Sequence, residues 1–355
     1  GRKDAKTAGS TMTISAITLG AIIVSFAVLI IIFLDSLLDS LGAMGESKIH
    51  ARMYLIILLP FAPFFCASTF LSALLRSEGR AGRALSILML GNLLNIAFDA
   101  LFILILNEGI AGAALATGLG HLGATLLGLY YLLKKSQIRA ASPSPSLLKQ
   151  VVPLGLPSLV RQLGTGSVIA LVNSLLISHA GSDAVAAYTI INQITMLCYL
   201  PLSALVMGFA PIAGYAYGAG DRKRLQEAYR ITLTSELLFG LTIMVLLQIF
   251  ARPLLFIFTA DDKVITQALN PLRVLLSTTA FVGIHTLGAS YFQSIGKSLA
   301  SLLLYMSRQF FLLIPLVILF SSYYGILGIW MAFPISDTLS AFFAFRLSRK
   351  DLHTL

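Results

Sequence analysis

Arg76-Ser77-Glu78-Gly79-Arg80 lines up with Gln293-Ser294-Ile295-Gly296-Lys297, 217 positions downstream. Working outward, Gly109-Ile110-Ala111-Gly112 meets Gly325-Ile326-Leu327-Gly328, one residue out of step, and Gly1-Arg2-Lys3-Asp4 falls opposite Gly218-Ala219-Gly220-Asp221. Each match is weak alone. Together they keep one order, one spacing and the same flanking apolar runs, so the chain reads as two copies of one helical unit.

Those flanking runs set the solvent. Hydrophobic residues make up 57% of the chain and charged residues 11%, against roughly 25% charged in soluble domains. Residues 7–34, 53–75 and 184–220 carry no charge, and a bilayer crossing needs about 20 residues. The runs are continuous, whereas a β-barrel shows alternation in short segments. The expected class is an all-α polytopic membrane protein with ten spans, near 11–37, 53–75, 84–106, 110–133, 151–178, 185–210, 229–250, 270–294, 299–320 and 324–346. The first run is too long for a cleavable signal peptide, and no small-residue cleavage site follows it.

A net charge of +10 invites a nucleic-acid reading, but the position of the charges opposes it. With the N-terminal segment and every second loop taken as one side, 19 of the 25 Lys and Arg residues are assigned to it, Arg308 of the span 299–320 among them, and Arg161 is left inside a span. This bias places both termini in the cytoplasm, and the expected location is the plasma (inner) membrane. Anionic lipid headgroups, and not nucleic acid, are the expected partners of the basic loops. Cys66 and Cys198 are isolated inside spans and read as apolar filler, with no metal or disulfide frame. No Ser/His/Asp set, phosphate loop or metal spacing suggests an enzyme or a cofactor.

Ser142-Pro143-Ser144-Pro145-Ser146 breaks any helix and marks a cytoplasmic linker over 136–149. It separates an N-terminal lobe, 1–135, with four spans from a C-terminal lobe, 150–355, with six. An even number of spans per copy gives parallel repeats, an architecture of membrane transporters. The 217-residue offset carries the start of the second copy to about 66 positions before Gly1. The first copy is therefore expected to have two further helices upstream, on the order of 70 residues, unless the chain is a shortened paralogue.

Within the spans, Asp99 stands out. A carboxylate there costs several kcal/mol unless it faces protein or water. Asn92, Asn95 and Asp99 follow i, i+3, i+7 spacing and share one helix face. Such a stripe looks into the bundle, where it either exchanges a proton or holds Na⁺, or clamps neighbouring helices. Periodicity leaves both readings open. Across the repeat, Leu312 and Leu316 stand opposite Asn95 and Asp99, so ion chemistry is confined to the first copy. Asp337 falls opposite His121; each is a candidate to line a cavity or to bond a neighbouring helix, and Glu236 and His285 are expected to do the latter.

The residues resemble the multidrug and toxic compound extrusion (MATE) transporters. Leu74-Leu75-Arg76-Ser77-Glu78-Gly79-Arg80 is similar to that family's loop before its fifth helix, Asn95-Ile96-Ala97-Phe98-Asp99 to its Asn-x-x-x-Asp helix, and Gly109-Ile110-Ala111-Gly112-Ala113-Ala114-Leu115-Ala116-Thr117 to its sixth helix. Gly155-Leu156-Pro157-Ser158, Asn173, Ala186-Ala187 and Gly214-Tyr215-Ala216-Tyr217-Gly218-Ala219-Gly220-Asp221 resemble its seventh and eighth. The family has twelve helices, so the resemblance also implies a missing first pair. It implies a cation or proton site at Asp99, Asn95 and Thr117, with Asn92 alongside. It further implies two lobes that enclose a cavity, and a monomer exporting amphipathic or cationic organic compounds in exchange for H⁺ or Na⁺. The family's acidic residue on the first helix has no counterpart here, and where one branch carries a Glu on the seventh helix this chain reads Arg161-Gln162. The alternatives are a flippase of related fold for a lipid-linked precursor, for which Arg161 and Arg308 are the only deep basic candidates, and a shortened remnant that does not transport.

Overall fold

A computed structural model of the chain describes residues 5–40, 45–136 and 138–354. Among them the backbone closes its hydrogen bonds almost entirely within helices, as hydrocarbon demands. The elements are α1 (Ala5–Ile32), α2 (Leu34–Ser40), α3 (Gly45–Leu58), α4 (Ala62–Ser77), α5 (Ala81–Asp99), α6 (Gly109–Lys135), α7 (Leu148–Ala180), α8 (Ser182–Gly218), α9 (Arg222–Phe258), α10 (Asp262–Leu276), α11 (Thr279–Ser294), α12 (Ser298–Met306) and α13 (Ile314–Thr354). Large apolar side chains stay exposed along the long helices, as with Met196 (69%) and Ile257 (76%). Such faces are stable against lipid tails, which are as apolar as leucine.

Length and composition qualify eight helices as spans among the described residues, or nine if α10 and α11, bent by 48°, form one. The ten expected spans differ from this count for a geometric reason. Residues 298–354 count as one 57-residue helical stretch, well over twice the roughly 20 residues of a single crossing. It contains the expected spans 299–320 and 324–346, and Gly325 (φ 57°, ψ −135°) breaks it between them.

The repeat is visible in the backbone. Gly79 (φ 76°) and Gly296 (φ 84°) both end a helix in the left-handed region. Gly79 N–H donates to Arg76 O and Arg80 N–H to Leu75 O; Gly296 N–H donates to Gln293 O and Lys297 N–H to Phe292 O, each pair 217 residues apart. This is one Schellman cap built twice.

Contacts divide the chain between Val151 and Val152. Residues of the expected linker are tied to the first unit: Ser136 Oγ donates to the Glu78 carboxylate, and Ala141 N–H to Thr13 Oγ1 at 3.3 Å. That unit has a small core of Leu71, Leu75, Ala84, Ile87 and Ala124. In the other unit, Val172, Leu176, Ile191, Leu255 and Leu272 form one core cluster, and Phe209, Tyr229, Leu287 and Tyr291 belong to a second.

Candidate functional site

Small residues bring α5 and α6 together. A Cβ at Gly120 would lie 2.7 Å from the Gly91 carbonyl oxygen and 3.1 Å from the Asn95 Cβ, and one at Gly91 would lie 3.0 Å from the Ala124 Cβ. Backbones this close let short polar side chains reach across. Asn95 Nδ2 donates to Thr117 Oγ1 at 3.4 Å, and Thr117 Oγ1 donates to Ala113 O at 2.9 Å. With Nδ2 turned to Thr117, the amide oxygen of Asn95 remains as an acceptor.

Asp99 is one turn beyond Asn95, half-buried, and is the last α-helical residue of α5. From Ala100 to Ile105 the helix widens into a π-helical stretch, closed by Leu106 N–H to Leu101 O at 2.9 Å. Widened turns of this kind are frequent at functional sites. No hydrogen bond or ion pair from a described residue reaches the Asp99 carboxylate. Asn92, one turn before Asn95, is exposed. The structure thus joins Asn95 to Thr117 and leaves Asp99 and Asn92 on the same helix without a bond to them.

His121, one turn after Thr117 on α6, turns to α4. Its Nδ1 lies 3.5 Å from Ser68 Oγ, and its ring stands edge-on to Phe65 at 4.6 Å. A groove of about 570 Å³ at α3 and α6 is lined by His50, Tyr54, Ile110 and Ala113, and Asp99 is not among its lining residues.

Asp337 is buried and ion-paired. It is 1% exposed and takes Arg308 Nη2 at 2.7 Å and Nε at 2.8 Å on Oδ1, with Thr278 Oγ1 donating to Oδ2 at 3.2 Å. Sequence reasoning named both charges without pairing them. The available signal was their company inside neighbouring spans, since intramembrane charges pair with one another. Of the two residues expected only to bond a neighbouring helix, His285 does so, from Nε2 to Leu304 O at 3.0 Å. Glu236 does not: both its carboxyl oxygens are buried without a partner.

Comparison with known proteins places this arrangement in context. The profile of the family MatE matches residues 1–101 and 157–336. The multidrug export protein MepA of Staphylococcus aureus (strain bovine RF122 / ET3-1) is 25% identical over 334 residues, 92% of this chain and 72% of its own length. The outward-facing conformation of a multidrug resistance MATE family transporter of the MOP superfamily superposes with a TM-score of 0.90 at 27% identity, covering 98% of this chain and 80% of that one. A MOP superfamily transporter from Pyrococcus furiosus superposes with a TM-score of 0.93 at 28% identity, covering 99% and 80%.

Proposed function

Since the chain belongs to the MatE family, the multidrug and toxic compound extrusion transporters, we propose that it exports amphipathic or cationic organic compounds in exchange for H⁺ or Na⁺, with Asp99 carrying the ion. One observation carries the ion assignment: the Asp99 carboxylate is half-buried within a span, and no described residue offers it a partner. A charge left so costs several kcal/mol, and a proton or a metal cation removes that cost. The oxygens considered are the Asp99 carboxylate, the Asn95 amide oxygen one turn before it on α5, and the Thr117 hydroxyl of α6, which accepts from Asn95 Nδ2. Oxygen donors suit Na⁺ as well as a proton. No further cofactor is invoked.

In this reading the ion stabilises one state of the transporter and the organic substrate another, and each acts only through its differential affinity for the two. The working chain is a monomer in the plasma (inner) membrane, with both termini cytoplasmic. The flippase reading needs a cationic cavity for a diphosphate headgroup. Arg308, one of its two candidate charges, is already neutralised by Asp337, which favours export of organic compounds instead.

The test is dye efflux from vesicles containing the full chain, driven in turn by a proton and a sodium gradient. Asp99→Asn is expected to abolish gradient-driven efflux while membrane insertion and dye binding persist. Efflux by Asp99→Asn equal to that of the unmodified chain across pH and Na⁺ would remove Asp99 from the mechanism.

A further inference from the structure

Two carboxylates are fully buried among the described residues, and only one has a counter-ion. Asp337 has Arg308; Glu236, on α9, is 0% exposed with neither Oε1 nor Oε2 in a hydrogen bond. The side chain is sealed by α11. A Cβ at Gly283 would meet the Glu236 carboxyl group and would lie 3.3 Å from its Cβ, and along the same seam Gly240 sits against Ala280. Only glycine at 283 leaves room for the carboxyl group.

The ionisable groups of the helices packed on α9 do not serve it. His285 of α11 is turned to the Leu304 carbonyl, and Tyr291 of α11 to Asp351. Arg273 of α10 and Tyr188 and Tyr199 of α8 make no hydrogen bond or ion pair with it. A carboxylate ion taken out of water without a counter-ion or donors is costly enough that the group neutralises instead. The neutral acid is the form this site can hold.

We propose that Glu236 is a proton-binding site separate from Asp99, occupied while α9 and α11 are packed as they are here. Ionisation requires the seam to part far enough for water, which accepts the proton and solvates the carboxylate. Proton occupancy and α9–α11 packing are then reciprocally linked: protons favour the closed seam, and closure favours the proton. This gives the C-terminal unit a titrating group of its own, although Leu312 and Leu316 replace the Asn and Asp of the repeat.

The experiment is infrared spectroscopy of the full chain in lipid vesicles at neutral pH, read at the C=O stretch of a protonated carboxyl group. Exposed glutamates, with pKa about 4.3, are ionised there and silent. The protein is made with and without ¹³C-glutamate, as the unmodified chain, Asp99→Asn and Glu236→Gln. The expected result is a protonated-carboxyl band in Asp99→Asn that shifts on glutamate labelling and is lost in Glu236→Gln, a neutral side chain of nearly equal volume. No such band in Asp99→Asn overturns the proposal, and does so even if the Glu236 variant fails to fold. A glutamate-sensitive band that survives in Glu236→Gln overturns it as well.

Discussion

Arg308 and Asp337 show what a charge inside the bundle needs. The carboxylate receives three donor atoms, two from the guanidinium and one from Thr278, while Ser336 Oγ bonds the Arg308 carbonyl at 2.9 Å. Desolvating two ions is expensive, so such a pair is often no more stable than an apolar pair of like volume. Breaking it leaves an uncompensated charge and costs about 3–5 kcal/mol. Arg308→Met is accordingly expected to destabilise the chain by about 3–5 kcal/mol, and Arg308→Met combined with Asp337→Leu to recover most of that loss. Thermal unfolding of the three variants in detergent checks this; a double variant as unstable as the single one would mean that the pair is not the seat of the effect. Against this background Asp99 and Glu236 are the exceptions, one half-buried and one sealed, each without a described partner.

At the scale of elements, helices run beyond the apolar stretches that announce them. The expected span 229–250 lies inside α9, which begins at Arg222 behind Asp221, whose Oδ1 accepts from Arg224 N–H at 3.0 Å. Side-chain capping lets a helix persist into the polar layer, so hydrophobicity marks the membrane crossing and not the helix end. Glycine marks the ends better. Gly79 and Gly296 are legible in the sequence as a repeat, and both prove to be left-handed caps. Ala at either position places a Cβ in that region at a cost of about 1–2 kcal/mol. Gly79→Ala and Gly296→Ala are therefore expected to lower stability by similar amounts, measured by the same unfolding assay. A large cost at one and none at the other would show that the two caps are not equivalent.

At the scale of the whole molecule, the bias of Lys and Arg to one side predicts that the 136–149 segment and both termini are cytoplasmic. A cysteine at position 142, as Ser142→Cys in a chain whose Cys66 and Cys198 are replaced by alanine, is expected to react with a membrane-impermeant maleimide in inside-out vesicles and not in intact cells. Labelling of intact cells would invert the assignment.

Sequence alone determined the helical membrane class, the twofold repeat, the resemblance that the MatE match supports, and the presence of Asn95, Asp99 and Thr117 on successive spans. These are properties of composition and spacing, set along one dimension by the length of a bilayer crossing and the pitch of a helix. Which residues meet was decided only in the tertiary structure. Asn95 reaches Thr117 because Gly91 and Gly120 let α5 and α6 touch; Asp337 meets Arg308 and not open space; Glu236 is closed in by Gly283. Partnership of this kind depends on how each helix is rotated and how closely its neighbours approach. Those quantities arise from packing between residues far apart in the chain, and the small residues that permit the approach carry no mark of what they will face.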